Sequence, residues 1–173
     1  MRVLFLLMIL LFVEINSFGQ KMTGFGAELS VLSFKPNVRM WLSRSSGVEV
    51  FGGLSAELSD FKPNDFEGGL KYLHTFNYKR TNRTYFGLVG KLKRIKLEGT
   101  NLTTNVPVAG AFIGMEWFSK HSILKGLSAE LGYQYGRKEY EIFNNTGQVS
   151  FVKRTYDEFP LILNIRYAFY KKK

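Results

Sequence analysis

The chain has 173 residues, a net charge of +10 at pH 7 and no cysteine. Its length suits a single domain, and the lack of cysteine excludes disulfides, thiol catalysis and Cys-ligated zinc or iron–sulfur sites. Hydrophobic residues make up 45% and charged residues 22% of the chain, proportions typical of a folded protein rather than a disordered one.

The first 19 residues have the pattern of a signal peptide. Met1-Arg2 is a short basic start, Val3 to Val13 is an uninterrupted apolar run, and Ser17 and Gly19 are small residues at the spacing that signal peptidase requires. The run has 11 residues, too few for a helix rising about 1.5 Å per residue to cross a hydrocarbon core of about 30 Å. We therefore expect cleavage after residue 19, export, and a mature domain of residues 20–173.

Apolar and polar residues alternate with a period of two along most of the mature chain, as in β-strands with two different faces. In chain order the alternating segments are 25–31, 38–42, 48–58, 66–76, 84–97, 106–118, 127–136 and 161–169. The polar connections between them are 35–37, 43–46, 60–65, 77–83, 98–105, 119–125 and 143–157. The sequence thus predicts an all-β fold of eight strands.

The composition of the two faces separates the all-β alternatives. The polar face carries Gly, Ser and isolated Glu, which suits a crowded interior better than a solvated surface. The apolar face carries aromatic residues at strand ends, where membrane barrels have their interfacial girdles: Phe25, Phe76, Phe86, Trp117, Tyr135, Tyr167 and Phe169. We predict an antiparallel up-and-down transmembrane β-barrel. A secreted soluble barrel that binds an apolar ligand is the alternative.

The export signal, the eight strands, the hairpin over 41–58 and the terminal run 159–169 resemble the small OmpA/OmpX-type outer-membrane barrels, a porin-like family. The resemblance implies a bacterial outer-membrane location and insertion by the barrel assembly machinery. That machinery would recognise the last strand through Leu161, Leu163, Ile165, Tyr167 and Phe169. The chain departs from the family pattern because Tyr170 and three lysines follow Phe169. The fold implies little about activity, since such barrels serve as anchors, adhesins, resistance factors and enzymes.

The predicted inward face carries charges of both signs. They are Glu28, Glu49, Glu57, Glu67, Glu116, Glu130, Arg39, Lys71, Lys91 and Arg166. An unpaired ion in this interior costs several kcal/mol, roughly, and an eight-stranded barrel is only just wide enough for its own side chains. We therefore expect a polar network that fills the lumen. An ion or proton path is the alternative.

No catalytic or metal site is predicted. The two histidines, His74 and His121, give no metal-ligand spacing, and we expect no cofactor. The His121-Ser122 pair invites comparison with outer-membrane lipid A deacylases, similar small barrels with a nucleophilic Ser and His. That family separates the two residues by one position on a strand, whereas here they are adjacent in a predicted turn. A non-enzyme is expected, and a lipid A-modifying enzyme is the alternative.

Orientation and partners follow from the strand count and the cations. An even number of strands brings both termini to one side, the periplasm, so that 43–46, 77–83 and 119–125 are periplasmic turns.

Export from the cytoplasm argues against nucleic acid as a partner. Cations at the outer loops either contact lipopolysaccharide phosphates or form a solvated charged rim: Lys35, Lys62, Lys153 and Arg154. The opposite rim would carry Arg44, Lys79, Arg80, Arg83, Lys120, Lys125 and residues 171–173.

The connection over 143–157 is the longest. Its Asn-Asn-Thr-Gly run at 144–147 is a turn signal between alternating segments, which predicts a hairpin extending above the membrane. Its candidate contacts with an unknown surface partner are Phe143, Phe151, Lys153, Arg154 and Tyr156. The alternative is a long, solvated hairpin with no partner.

Overall fold

The computed structural model describes residues 22–31, 33–56, 63–79, 81–96, 103–119, 124–145 and 149–172. The predicted signal peptide lies outside these ranges. The described strands are β1 (Met22–Ser30), β2 (Ser33–Trp41), β3 (Ser46–Ala56), β4 (Pro63–Tyr78), β5 (Asn82–Lys96), β6 (Thr103–Phe118), β7 (Leu124–Tyr135), β8 (Arg137–Asn145), β9 (Val149–Asp157) and β10 (Leu161–Lys172). No helix long and apolar enough to cross a membrane occurs in the described ranges.

Eight of these strands close into a barrel in the order β1-β10-β7-β6-β5-β4-β3-β2. Every neighbouring pair is antiparallel, and the seam between the first and last strands runs from Met22↔Lys172 to Ser30↔Asn164. Closure pairs the backbone groups that an open sheet would leave exposed at its edges. The predicted eight-stranded antiparallel up-and-down barrel is confirmed.

The remaining two strands, β8 and β9, form a separate two-stranded sheet between β7 and β10. Their register runs from Arg137↔Asp157 to Asn145↔Val149. The long connection therefore forms the expected hairpin, which begins earlier than predicted because β8 follows β7 almost directly.

The prediction of an outer loop at residues 35–37 is wrong. These residues lie inside β2, where Ala27 pairs with Pro36 on the β1 side. On the β3 side the pairing passes from Phe34↔Leu54 to Asn37↔Phe51, without pairs at residues 35 and 36. Pro36 has no N–H to donate, so it is tolerated where the ladder is interrupted.

The polarity of the two faces of the barrel is the reverse of that in a soluble protein. On β10, Leu161, Ile165 and Phe169 are 43, 58 and 48% exposed, whereas Asn164 and Arg166 are 4 and 0% exposed. All seven aromatic residues predicted for the outer girdles lie on the outer surface, at 39 to 64% exposure. An apolar exterior around a charged interior is the arrangement that a membrane barrel requires.

Glycine makes room for the largest inward side chains. A Cβ at Gly114 would lie 2.6 Å from the Tyr85 ring, and one at Gly24 would overlap the ring of Tyr170. Both aromatic side chains are buried and belong to the lumen network. The small residues of the polar face therefore leave space for the bulky residue paired with them on the neighbouring strand.

Candidate functional site

The lumen network is built by one inward row of side chains on each barrel strand. Successive side chains on a strand point to opposite faces, so residues two apart share the interior. On β2 that row is Lys35, Asn37, Arg39 and Trp41, all at most 5% exposed. The other barrel strands contribute Glu28, Glu49, Asp65, Glu67, Lys71, Arg83, Lys91, Lys93, Glu116, Glu130 and Arg166, all at most 9% exposed.

Arg39 lies at the centre of the network. Its Nε donates to Glu49 Oε2 at 2.6 Å, and its Nη2 donates to Glu130 Oε1 at 2.6 Å. Its Nη1 donates to the Tyr85 hydroxyl at 2.9 Å, and that hydroxyl donates to Glu130 Oε1 at 2.9 Å. One guanidinium thus joins side chains from β3, β5 and β7 across the interior.

Lys71 on β4 holds three carboxylates together. Its Nζ lies 2.6 Å from Glu130 Oε2 and 3.2 Å from Glu49 Oε1, and it also donates to Glu28 on β1. Asn164 donates to the same Glu130 oxygen at 3.1 Å. The ammonium group separates three negative charges that would otherwise repel one another.

A second arginine connects the last strand to this centre. Arg166 on β10 donates from Nε to Asn37 Oδ1 at 2.7 Å and from Nη1 to Glu116 Oε1 at 3.1 Å. The Tyr170 hydroxyl, which accepts from Arg166 Nη1 at 2.9 Å, donates to Glu116. The Trp41 indole donates to the other Glu116 oxygen at 3.1 Å.

An outer layer lies nearer the end of the barrel that carries β8 and β9. Lys35 bridges Glu28 at 2.8 Å and Glu67 at 3.4 Å, and Lys91 lies 2.7 Å from Glu67. Lys93 is 3.8 Å from Asp65. Glu158, in the connection between β9 and β10, approaches Lys91 and Lys93 at 3.1 and 3.4 Å.

The opposite end of the interior is closed by aromatic rings around Arg83. The guanidinium lies 4.4 Å from the centre of the Trp41 ring and 5.5 Å from that of Phe118. Its Nη2 also contacts Met22 Sδ at 3.7 Å. Stacking on an aromatic face is favourable for a buried guanidinium.

Positive and negative charges balance in the described part of the lumen. Seven acids, counting Glu158, face seven bases. Removing one partner from such a buried set leaves the remaining charge uncompensated, at a cost of about 3–5 kcal/mol. The stability of the network therefore depends on an intact barrel that supplies every partner.

Above the central layer a recess of about 560 Å³, which includes solvent at its mouth, opens at the outer end. Lys35, Lys71, Lys91 and Lys93 line it together with Glu67 and Glu158. Burial disfavours the charged form of Glu158, but Lys91 and Lys93 outweigh this effect and hold the pKa of its carboxyl below the usual range. No group of three or more acidic or histidine side chains that could hold a metal ion occurs within the described ranges.

Nine of the ten predicted lumen residues lie in this interior, and Glu57 lies outside the described residues. Two rim assignments are wrong: Lys35 and Arg83 are 5 and 1% exposed and face the lumen. The Lys-Pro-Asn sequence at 35–37 predicts a turn, but it lies inside β2 and Lys35 faces inward. Arg83 was misplaced because β5 begins before it.

Other lumen residues were missed: Asp65, Tyr85, Lys93, Glu158 and Tyr170. Strand parity could have found most of them, since Arg83, Tyr85, Lys91 and Lys93 are an even number of residues apart on β5. Glu158 follows the end of β9 and carries no such signal.

The remaining predicted residues include exposed cations, residues outside the described ranges, and hairpin residues of which the backbone is described. Arg44, Lys79, Lys125 and Lys171 are exposed, whereas Lys62, Arg80, Lys120, Lys173 and the His121-Ser122 pair lie outside the described residues. Phe143 pairs with Phe151, and Tyr140 with Arg154, in the β8–β9 backbone ladder. Tyr156 is half-buried, and its hydroxyl accepts from Lys93 at 2.8 Å.

No protein-family model matches the chain, and no curated protein matches its sequence. Among solved structures, the N-terminal β-barrel domain of Pseudomonas aeruginosa OprF aligns with 90% of this chain and 100% of its own, at 9% identity and a TM-score of 0.57. Neisserial surface protein A aligns with 87% of this chain and 94% of its own, at 14% identity and a TM-score of 0.43. The first likeness confirms the small OmpA/OmpX-type barrel fold implied by the sequence resemblance.

Proposed function

We propose that this chain is a non-enzymatic protein of the bacterial outer membrane, with a lumen closed by its polar network and the β8–β9 hairpin presented outside the cell. The observation that carries the proposal is the inversion of the two faces. Among the described residues, twenty-three large hydrophobic side chains are 39 to 64% exposed, while Arg39, Arg166 and their carboxylate partners are 0 to 2% exposed. That exterior would be unstable in water but suits a hydrocarbon solvent.

The closed lumen supports a structural or surface-interaction role rather than a channel. Arg39, Lys71 and Arg166 reach carboxylates on several strands, so that side chains fill the cross-section at mid-height. A permeating ion would have to displace these pairs, each of which is desolvated. We expect negligible conductance.

The surroundings of the barrel follow from the same proposal. The termini would face the periplasm, β10 would be recognised by the barrel assembly machinery, and exposed cations at the rims would contact lipid phosphates. Arg94 and Lys96 at the outer end of β5 are both exposed. Their position suits contact with lipopolysaccharide.

Expression in a Gram-negative host tests the proposal. The mature protein should fractionate with the outer membrane, require detergent for extraction, and migrate differently on gels before and after boiling. Purified protein in a planar bilayer should show no stepwise conductance. Recovery from the soluble periplasm without detergent would overturn the proposal and favour the soluble ligand-binding barrel.

The lipid A-modifying alternative has its own test. Lipid A from cells with and without the protein should have the same acylation pattern. A change in acylation that disappears in His121→Ala would overturn the non-enzymatic assignment.

A further inference from the structure

Glu158 differs from the other carboxylates of the lumen network in where it is attached. Glu28, Glu49, Asp65, Glu67, Glu116 and Glu130 all belong to barrel strands, whereas Glu158 lies in the connection between β9 and β10. Its side chain is nevertheless only 5% exposed. It is therefore a buried acid that can leave the interior without separating any pair of barrel strands.

Four donors converge on this carboxylate, two on each oxygen. Lys91 Nζ and Gln134 Nε2 donate to Oε1 at 3.1 and 3.3 Å. Lys93 Nζ and the Tyr156 hydroxyl donate to Oε2 at 3.4 and 2.7 Å. Two ammonium groups, an amide and a phenol form a set of donors suited to an oxyanion.

Without Glu158, the described lumen holds seven bases and six acids, an excess of one positive charge. Lys91 retains Glu67 at 2.7 Å, whereas the acid that Lys93 retains among the described residues is Asp65, at the longer distance of 3.8 Å. Both ammonium groups line the recess that opens to solvent at the outer mouth. A second carboxylate entering the recess would meet the same four donors.

We propose that these donors form a binding site for the carboxylate of a small soluble ligand, and that Glu158 occupies the site as an internal ligand until it is exchanged. The ligand enters through the mouth, because Lys91 and Lys93 are 9 and 3% exposed and face the lumen. Phosphates of lipids that surround the barrel wall contact its outer face and do not reach them.

Exchange has a structural consequence at the base of the hairpin. The connection that carries Glu158 is held by two backbone hydrogen bonds, from Glu158 N to Gly136 O at 2.8 Å and from Gln134 N to Pro160 O at 2.7 Å. When an external carboxylate displaces the Glu158 side chain, this connection loses the anchor that Glu158 supplies and keeps the bond from Gln134 Nε2 to Phe159 O at 2.8 Å. The site thus couples ligand binding to the freedom of the β8–β9 hairpin.

Acetate is the probe for the site, titrated by NMR into the folded protein in detergent micelles, with chloride balancing the ionic strength. Glu158→Ala empties the site, and Asp157→Ala is its matched control because the Asp157 side chain is 69% exposed. Acetate should bind Glu158→Ala at least tenfold more tightly than the parent and shift the Lys91 and Lys93 ammonium signals. Asp157→Ala should behave like the parent.

A second substitution in the Glu158→Ala background identifies the donors. Adding Lys93→Gln should weaken acetate binding at least tenfold, whereas adding Lys96→Gln, at an exposed position on the same strand, should leave it unchanged. Equal acetate affinity in Glu158→Ala and the parent, or unchanged affinity after Lys93→Gln, would overturn the proposal. Displacement of acetate by lipopolysaccharide would overturn the assignment to a soluble ligand.

The parent protein provides a test that needs no substitution. Acetate should accelerate hydrogen exchange at the Glu158 amide relative to sodium chloride of equal ionic strength, while the Arg39 amide in β2 stays protected. If the Glu158 amide exchanges at the same rate in both salts, Glu158 is a fixed structural anchor and the proposal fails.

Discussion

Arg39 and Glu130 are 91 positions apart in the sequence, yet Arg39 Nη2 lies 2.6 Å from Glu130 Oε1 in the middle of the barrel. They come from β2 and β7, which are not neighbours in the sheet. A side-chain pair thus joins parts of the wall that no backbone ladder connects. Both residues are at most 2% exposed, so the stability of the barrel depends on keeping both charges.

Removing the central guanidinium should be costly. Arg39→Met leaves Glu49 and Glu130 with one cationic partner fewer, and we expect the free energy of unfolding to fall by about 3–5 kcal/mol. This loss of unfolding free energy is measured by urea titration in lipid vesicles, with the gel shift of folded protein as the readout. Arg44→Met, at an exposed turn position, is the control. Equal midpoints for both variants would contradict the assigned role of Arg39.

The close approach at Gly114 gives a second prediction. Gly114→Ala places a Cβ 2.6 Å from the Tyr85 ring, which must move away from Arg39 and Glu130. We expect a loss of about 1–3 kcal/mol, measured in the same assay. Gly90→Ala, where no atom lies within 4 Å of the new Cβ, should change stability by less than about 0.5 kcal/mol. A Gly114→Ala barrel as stable as Gly90→Ala would show that the Tyr85 position is unimportant.

Acid should loosen the base of the hairpin. Because the folded-state pKa of Glu158 is depressed, its contribution to stability is fully present above the unfolded carboxyl value of about 4.3. It is lost as the pH falls through the folded-state pKa. The protection factor of the Glu158 amide, corrected for intrinsic exchange rates, should therefore fall below about pH 4. In Glu158→Gln it should not change over that range, and an identical fall in both proteins would assign the effect to other groups.

Orientation can be tested because the chain has no cysteine. Single cysteines at Thr155, exposed near the base of the hairpin, and at Lys79, exposed after β4, lie at opposite ends of the barrel. A membrane-impermeant maleimide applied to whole cells should label Thr155→Cys and not Lys79→Cys. Disrupted cells should allow labelling of both. The reverse pattern on whole cells would place the termini outside.

The hairpin should be dispensable for folding. β8 and β9 pair only with each other among the described strands, so replacing residues 144–154 by a short Gly/Ser turn removes no barrel ladder. The variant should remain heat-modifiable on gels and lose any surface binding that the parent has. Retention of every such interaction would assign the protein an architectural role instead.

Strand parity accounts for what the sequence could predict of the site. Inward positions such as Glu49, Lys71 and Arg166 follow from alternation alone. A strand of a membrane barrel has one face toward lipid and one toward the lumen, so apolar and polar residues must alternate along it. The pairing partners do not follow. That Arg39 meets Glu130 depends on the tilt and stagger of the closed barrel, which alternation within a single strand does not contain.

Breaks in alternation explain the errors. Pro36 predicts a turn, but it lies within β2, where an interrupted stretch of ladder accommodates its missing N–H. The opposite error concerns Glu158, which lies between strands and was assigned to no face. Its burial depends on Lys91 and Lys93, more than 60 positions earlier.

The seam between β1 and β10 also sets an order of events during biogenesis. Arg166 and Tyr170 are on β10, the last of the described strands, and Glu116 receives hydrogen bonds from both. Glu28, on the first strand, receives its ammonium partners from β2 and β4. The interior therefore becomes electrically complete only when the two ends of the chain meet. We expect closure and charge neutralisation to occur together, so that a barrel with an open seam between β1 and β10 keeps unpaired charges in its interior.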